Sequence, residues 1–135
     1  MRVSLLSLAL LLAAVAARAD EPAPAWRKPP GPIAGQWKVT CATTPGMVVE
    51  VTVEGQSHAL GKVAVLGDGG KRGYQEGDPL LDLTADDFGD WVGKLKWKDA
   101  AGTERDDPIH FVATQDVLDA TMTTDDCYKK MPRVK

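Results

Sequence analysis

From Gln36 onward, hydrophobic and polar side chains alternate along a series of short segments. WKVTC sets Trp37, Val39 and Cys41 on one face and Lys38 and Thr40 on the other, and VVEVTVE sets Val49, Val51 and Val53 opposite Glu50, Thr52 and Glu54. Thr44-Pro45-Gly46 supplies the turn between them. A two-residue period predicts half-buried antiparallel strands, because a sheet with one wet face rewards that spacing. ALGKVAVL, residues 59 to 66, is apolar on both faces, so the pattern predicts a doubly covered or bulged strand and assigns it no inward set. Asp68-Gly69-Gly70 predicts a tight turn within a hairpin. GYQEGDPLLDL, residues 73 to 83, predicts two short pieces broken at Gly77-Asp78-Pro79, since proline has no N–H for a ladder.

The second half of the chain repeats this grammar. Trp91, Gly93, Leu95 and Trp97 point to one side of a strand whose other side carries Lys94, Lys96 and Lys98, and DAAG turns the chain after it. Ile109, Phe111 and Ala113 alternate with His110, Val112 and Thr114; Leu118, Ala120 and Met122 alternate with Asp119, Thr121 and Thr123. A last short strand through Asp126, Cys127 and Tyr128 is expected to return beside the first. No stretch has the caps and apolar period of a long helix, and residues 80 to 90 are the one place where a helical turn fits. About seven to nine strands joined by short turns predict an all-β domain, a small antiparallel meander closing into a barrel, with a two-sheet β-sandwich as the alternative.

The residues before Gln36 are of another kind. Arg2 gives a positive start, Leu5 to Val15 is almost wholly apolar, and Ala17-Arg18-Ala19 presents small residues where a signal peptidase reads them, so residues 1–19 are expected to be a secretory signal peptide. The apolar run is too short to span a bilayer and no later run is longer, which predicts no transmembrane segment and an exported protein, periplasmic or extracellular. Residues 20–34 carry Pro22, Pro24, Pro29, Pro30 and Pro32 and are expected to be an extended, partly mobile lead-in. Residues 35–135 then form a single β domain. Cys41 and Cys127 are the only two cysteines, near opposite ends of that domain, and in an oxidising compartment they predict one structural disulfide.

Charge narrows the partners. The chain holds 16 Lys and Arg against 19 Asp and Glu, a net charge of −3, and removal of Arg2 and Arg18 with the leader makes it more acidic. That balance gives no overall attraction for nucleic acid. Lys94, Lys96 and Lys98 form a local cationic stripe able to receive an acidic headgroup or an acidic partner, or simply give their strand its wet face. Gly93, lacking a side chain between two large indoles, predicts packing relief, barrel curvature or a small recess lined by Trp37, Trp91, Leu95, Trp97 and Phe111.

Catalytic and metal signatures are weak. Asp86, Asp87 and Asp90, and then Glu104, Asp106 and Asp107, lack the spacing of a calcium loop and read as solvated turns. His58 and His110 are the only histidines; neither sits in sequence beside a nucleophile with an orienting acid, and two histidines alone make a weak zinc centre. GDGGKRG has neither the spacing nor the ending of a phosphate loop. No catalytic residue, cofactor or metal ligand is expected.

Gly77, Leu80, Leu81 and Leu83, followed by Trp91, Gly93, Leu95, Lys98-Asp99 and Gly102, resemble the small exported bacterial proteins of the DUF2147 class and, more broadly, lipocalin-like barrels. Gly35 and Trp37 add a match to the glycine-x-tryptophan opening associated with those barrels, so the resemblance spans residues 35 to 128. It implies an exported barrel and transfers no catalytic or ligand residue. The expected function is that of a non-enzymatic binding or accessory protein of the cell envelope. Its partner would be an apolar small molecule or lipid on the tryptophan-bearing face, or alternatively an envelope protein contacting an exposed sheet face or loops.

Overall fold

A computed structural model describes residues 26–41, 44–122 and 126–135. The signal-peptide reading and the first part of the lead-in lie outside the described residues. Eight strands form one sheet in chain order: β1 (Gly35–Lys38), β2 (Val48–Glu54), β3 (His58–Val65), β4 (Pro79–Ala85), β5 (Trp91–Lys98), β6 (Glu104–Ala113), β7 (Val117–Met122) and β8 (Lys130–Pro132). Every strand pairs antiparallel with the next. The sheet curls until its two edges meet: Trp37 bridges Arg133, the Val134 N–H donates to the Gln36 carbonyl at 2.9 Å, and Thr40 donates its hydroxyl to the Lys130 carbonyl at 3.0 Å. The Cys41–Cys127 disulfide fastens the same seam. The domain is thus a nearly closed barrel, one continuous sheet rather than the two layers of a sandwich.

Alternation fixes the faces. Trp37, Val49, Val51, Leu83, Trp91, Leu95, Phe111 and Leu118 are buried in one core cluster, each at most 2 % exposed. The strand that the sequence left unassigned resolves the same way, with Ala59, Gly61 and Val63 buried and Lys62 exposed. Gly93 serves curvature: a Cβ there would run into the backbone carbonyl of Asp82 and Leu83 Cα, so its absence lets β4 and β5 approach.

Both barrel ends are stoppered. At one end lies the second half of the lead-in, where the Lys28 and Gly31 N–H groups donate to the carbonyls of Asp87 and Gly89 at 3.0 and 2.9 Å. Ile33 is buried, and the indole N–H groups of Trp37 and Trp91 donate to the carbonyls of Ile33 and Gly31, both at 2.9 Å. Arg133 clasps the same segment through the carbonyls of Pro32 and Ala34, both at 2.7 Å, while its guanidinium stacks 4.2 Å from the Trp37 ring. Trp26 itself is 68 % exposed.

The opposite end is closed by a 3-10 helix, Gly67–Arg72, and by Tyr74, whose buried hydroxyl meets that of Tyr128 at 3.0 Å. This helix replaces the simple hairpin expected across GDGGKRG; Lys71 and Arg72 fall in its last turn and Gly73 ends it with a left-handed backbone. The expected final strand through Cys127 is likewise a short 3-10 turn, Asp126–Tyr128, and the returning strand begins only at Lys130. No helical turn intrudes on residues 80 to 90 beyond the tight turn after β4.

Candidate functional site

The break at Gly77-Asp78-Pro79 interrupts the regular β3–β4 ladder. The Val63 N–H donates to the Asp78 carbonyl and the Gly77 N–H to the Val63 carbonyl, at 2.9 and 2.8 Å, so the chain reaches β3 one step before β4 starts. Proline then removes a ladder donor, and pairing slips: Gly61 faces Leu81 but Lys62 faces Pro79, leaving Leu80 as the extra residue of a bulge. Leu80 is nevertheless 1 % exposed.

Clefts gather around this bulge. One, of about 170 Å³, lies among Tyr74, Pro79 and Trp97, with Lys96 and Lys98 alongside Asp78 and Glu104. A second, of about 280 Å³, is lined by Leu60, Pro79, Leu80 and Leu81, with Lys94 and Lys96 balanced by Asp82 and Asp106. A third, of about 310 Å³, borders Leu60, Lys62, Gly77, Pro79 and Leu81. All three share Pro79, and the first two also share Lys96.

The three lysines of β5 differ in their bonding. Lys98 donates to the Gly73 carbonyl at 2.9 Å and lies 5.8 Å from the Tyr74 ring, so it ties β5 to the closing loop. Lys96 pairs with Glu104 at 3.5 Å, both side chains about half exposed, an arrangement worth little in water. Lys94 is exposed opposite Asp82 and Pro108 in the register and holds no ion pair among the described residues. The edge where the second cleft opens is thus of mixed charge, with Lys94 and Lys96 beside Asp82 and Asp106.

Of the apolar residues singled out from the sequence, Trp37, Trp91, Leu95 and Phe111 are packed into the core at 0 or 1 % exposure, and none of them lines the three clefts. Gly93 lies beside them against β4. Trp97 is the exception: it is half-buried at the barrel rim, walls the first cleft, and donates its indole N–H to Asp107 Oδ2 at 2.7 Å. The acidic run Glu104, Asp106 and Asp107 belongs to β6, where Asp106 faces Lys96 and Asp107 faces Leu95, instead of forming a solvated turn.

Beyond the rim, the β5–β6 turn is held by Asp99. Its carboxylate accepts from Arg105 Nε at 3.0 Å and from the N–H groups of Thr103 and Ala101, both at 3.0 Å. The Arg105 hydrogen bond, then that of Thr103, holds this carboxyl below its ordinary value of 3.8.

The fold also assembles a cluster that sequence spacing does not reveal. Asp86 and Asp90 lie in the β4–β5 turn, His110 lies on β6, and one donor atom from each falls within 4.8 Å of the others. His110 is twenty residues from Asp90 and reaches it only because β5 and β6 pair Val92 with His110. The alternation around Ile109 and Phe111 places His110 on the outer face, but no local motif names its partners.

No protein-family model, curated protein or solved structure matches the chain. The architecture supports the barrel component of the resemblance read from Gly35, Trp37 and the β4–β5 region, as a generic barrel.

Proposed function

We propose that the protein is an exported, non-enzymatic binding or accessory protein of the cell envelope, taking a small molecule with an apolar body and an anionic head at the clefts around Pro79. The carrying observation is the meeting of two clefts of about 170 and 280 Å³ at Pro79 and Lys96. Leu60, Leu80, Leu81 and Trp97 offer an apolar bed; at its edge, shared with Asp82 and Asp106, Lys94 and Lys96 offer positive charge, and Lys94 holds no ion pair among the described residues. Lys96 gives up only a half-exposed ion pair on turning to a ligand, so the switch costs little. With the core filled by Trp37, Trp91, Leu95 and Phe111, ligand contact falls to Trp97, a large apolar surface with a polar tip. The likeness to lipocalin-like barrels, and the leader read at residues 1–19, agree with an exported carrier.

Native mass spectrometry of protein isolated gently from its exporting host tests this. A reproducible excess mass, lost on denaturation and absent from the folded K94E/K96E double variant, is the expected result. An adduct-free mass that persists after exposure to envelope lipids would sink the small-molecule reading. The same variant addresses the runner-up: loss of a captured envelope protein, with no small-molecule adduct in either form, would make this outer sheet face a protein-interaction surface.

A further inference from the structure

We propose that Asp86, Asp90 and His110 form a binding site for a divalent transition-metal ion of the zinc class, separate from the Pro79 clefts. The three donors come from two segments, the turn before β5 and the middle of β6, and all are partly buried. His110 Nε2 lies 2.8 Å from Asp90 Oδ2, and every donor pair in the triad is within 4.8 Å. Zinc binds nitrogen and carboxylate oxygen tetrahedrally at about 2.0 to 2.2 Å, so two donors of one ion lie about 3.4 Å apart. Side-chain movement of up to about 1.5 Å closes that difference, within reach of rotation about χ1 and χ2 in partly exposed groups.

The turn that carries two of the three ligands is held before any ion arrives. Asp86 Oδ1 accepts the N–H groups of Phe88 and Asp90, both at 2.9 Å, and the Asp86 N–H donates to the Asp90 carbonyl at 2.9 Å. These bonds pin one carboxylate oxygen of Asp86 and leave the other to turn toward the ion. The neighbouring Asp87 is engaged by Arg27 at 2.7 Å.

His58 shows what a non-binding arrangement looks like on the same barrel. Its Nδ1 lies 3.8 Å from Glu54 and its Nε2 lies 2.7 Å from Asp82, so the two carboxylates flank opposite ring nitrogens and cannot share one ion with the imidazole. At His110, by contrast, both carboxylates gather with one donor nitrogen. An imidazole ligand also sets the metal class: calcium prefers oxygen donors throughout, whereas zinc accepts nitrogen and carboxylate together. Binding requires a Nε2 lone pair, so the ring either loses its Nε2 proton to solvent or occupies the Nδ1–H tautomer, and the hydrogen bond to Asp90 is replaced by coordination.

The test is a titration of untagged, disulfide-bonded protein with zinc chloride. Calorimetry and long-range nitrogen correlation spectra of the two histidine rings are read together. Expected are one ion per chain, displacement of the His110 Nε2 resonance with His58 unmoved, unchanged binding by H58A, and a loss of about 100-fold or more in H110A. Calcium should not compete. The site is refuted by a His110 ring that does not respond as zinc is raised to saturation, by zinc binding that survives H110A, or by calcium displacing zinc at equal concentration. Should H110A fail to fold, the ring spectra of the unaltered protein decide alone.

Discussion

Arg133 tests whether the proline-rich lead-in is a structural part of the barrel. Its guanidinium donates to the carbonyls of Gln115, Ala34 and Pro32 at 2.6, 2.7 and 2.7 Å, and stacks 4.2 Å from the Trp37 ring. One side chain thus holds together the lead-in, the β6–β7 turn, β8 and the first core tryptophan. The side chain is partly exposed, so each charge-assisted bond is worth about 1 kcal/mol, below the usual range for charged groups, because the freed carbonyls regain water. The ring contact adds about 0.5 to 1 kcal/mol. R133A should therefore cost about 3 to 4 kcal/mol. At about 4 °C per kcal/mol for a domain of this length, the melting temperature should fall by roughly 10 to 15 °C. R133K keeps the charge but has no planar fork to span three carbonyls, and should lose about 2 kcal/mol. Chemical denaturation followed by circular dichroism gives the magnitude, and hydrogen exchange gives its location: the Gly31 amide and the Trp91 indole N–H should lose protection. An R133A protein destabilised by less than about 1 kcal/mol, with Gly31 still protected, would refute the clasp.

Three further outcomes follow from the same geometry. G93A places a methyl group against the Asp82 carbonyl and should cost about 2 to 3 kcal/mol in urea unfolding, since backbone cannot rotate aside; an equally stable variant would remove the close β4–β5 approach as the reason for glycine. The C41S/C127S double variant opens a cross-link spanning 86 residues and should lose about 4 kcal/mol, measured by the same unfolding titration against the oxidised protein. For Asp99, whose folded carboxyl is held below 3.8 chiefly by Arg105, the stabilisation is complete above that value and vanishes as pH falls through the lower folded value. Unfolding midpoints across the acid range should therefore decline less steeply in D99N than in the unaltered protein, and parallel profiles would contradict this.

The barrel was legible wherever local alternation alone sets the outcome. The valines of β2, the tryptophan face of β5 and the Ile109-Phe111-Ala113 face of β6 all follow the two-residue period, and the seam between the first strand and the chain's end was signalled by Cys41 and Cys127. Where a long-range partner decides, the sequence was silent. The inward set of β3 depends on pairing Gly61 with Leu81, and the docking of residues 28–34 depends on carbonyls offered by Asp87 and Gly89. Gly67–Arg72 has glycines suited to a turn, but its 3-10 winding follows from closing the barrel end over Tyr74. The same distinction runs through the candidate sites. The lysine stripe is visible in the sequence, whereas its division into an anchoring Lys98, an ion-paired Lys96 and an exposed Lys94 comes from neighbours on other segments. The triad of Asp86, Asp90 and His110 is created by strand register.

The central functional claim is that ligand binds at the Pro79 rim and not inside the packed core. A proton–nitrogen correlation titration with sodium laurate, kept below its micellar concentration, tests it most directly. Binding at the rim should give saturable shifts at the Leu80, Leu81 and Lys96 amides and at the Trp97 indole, with the Trp37 and Trp91 indoles unmoved. Saturable shifts confined to the Trp37 and Trp91 indoles, or no saturable shift at any residue, would contradict it.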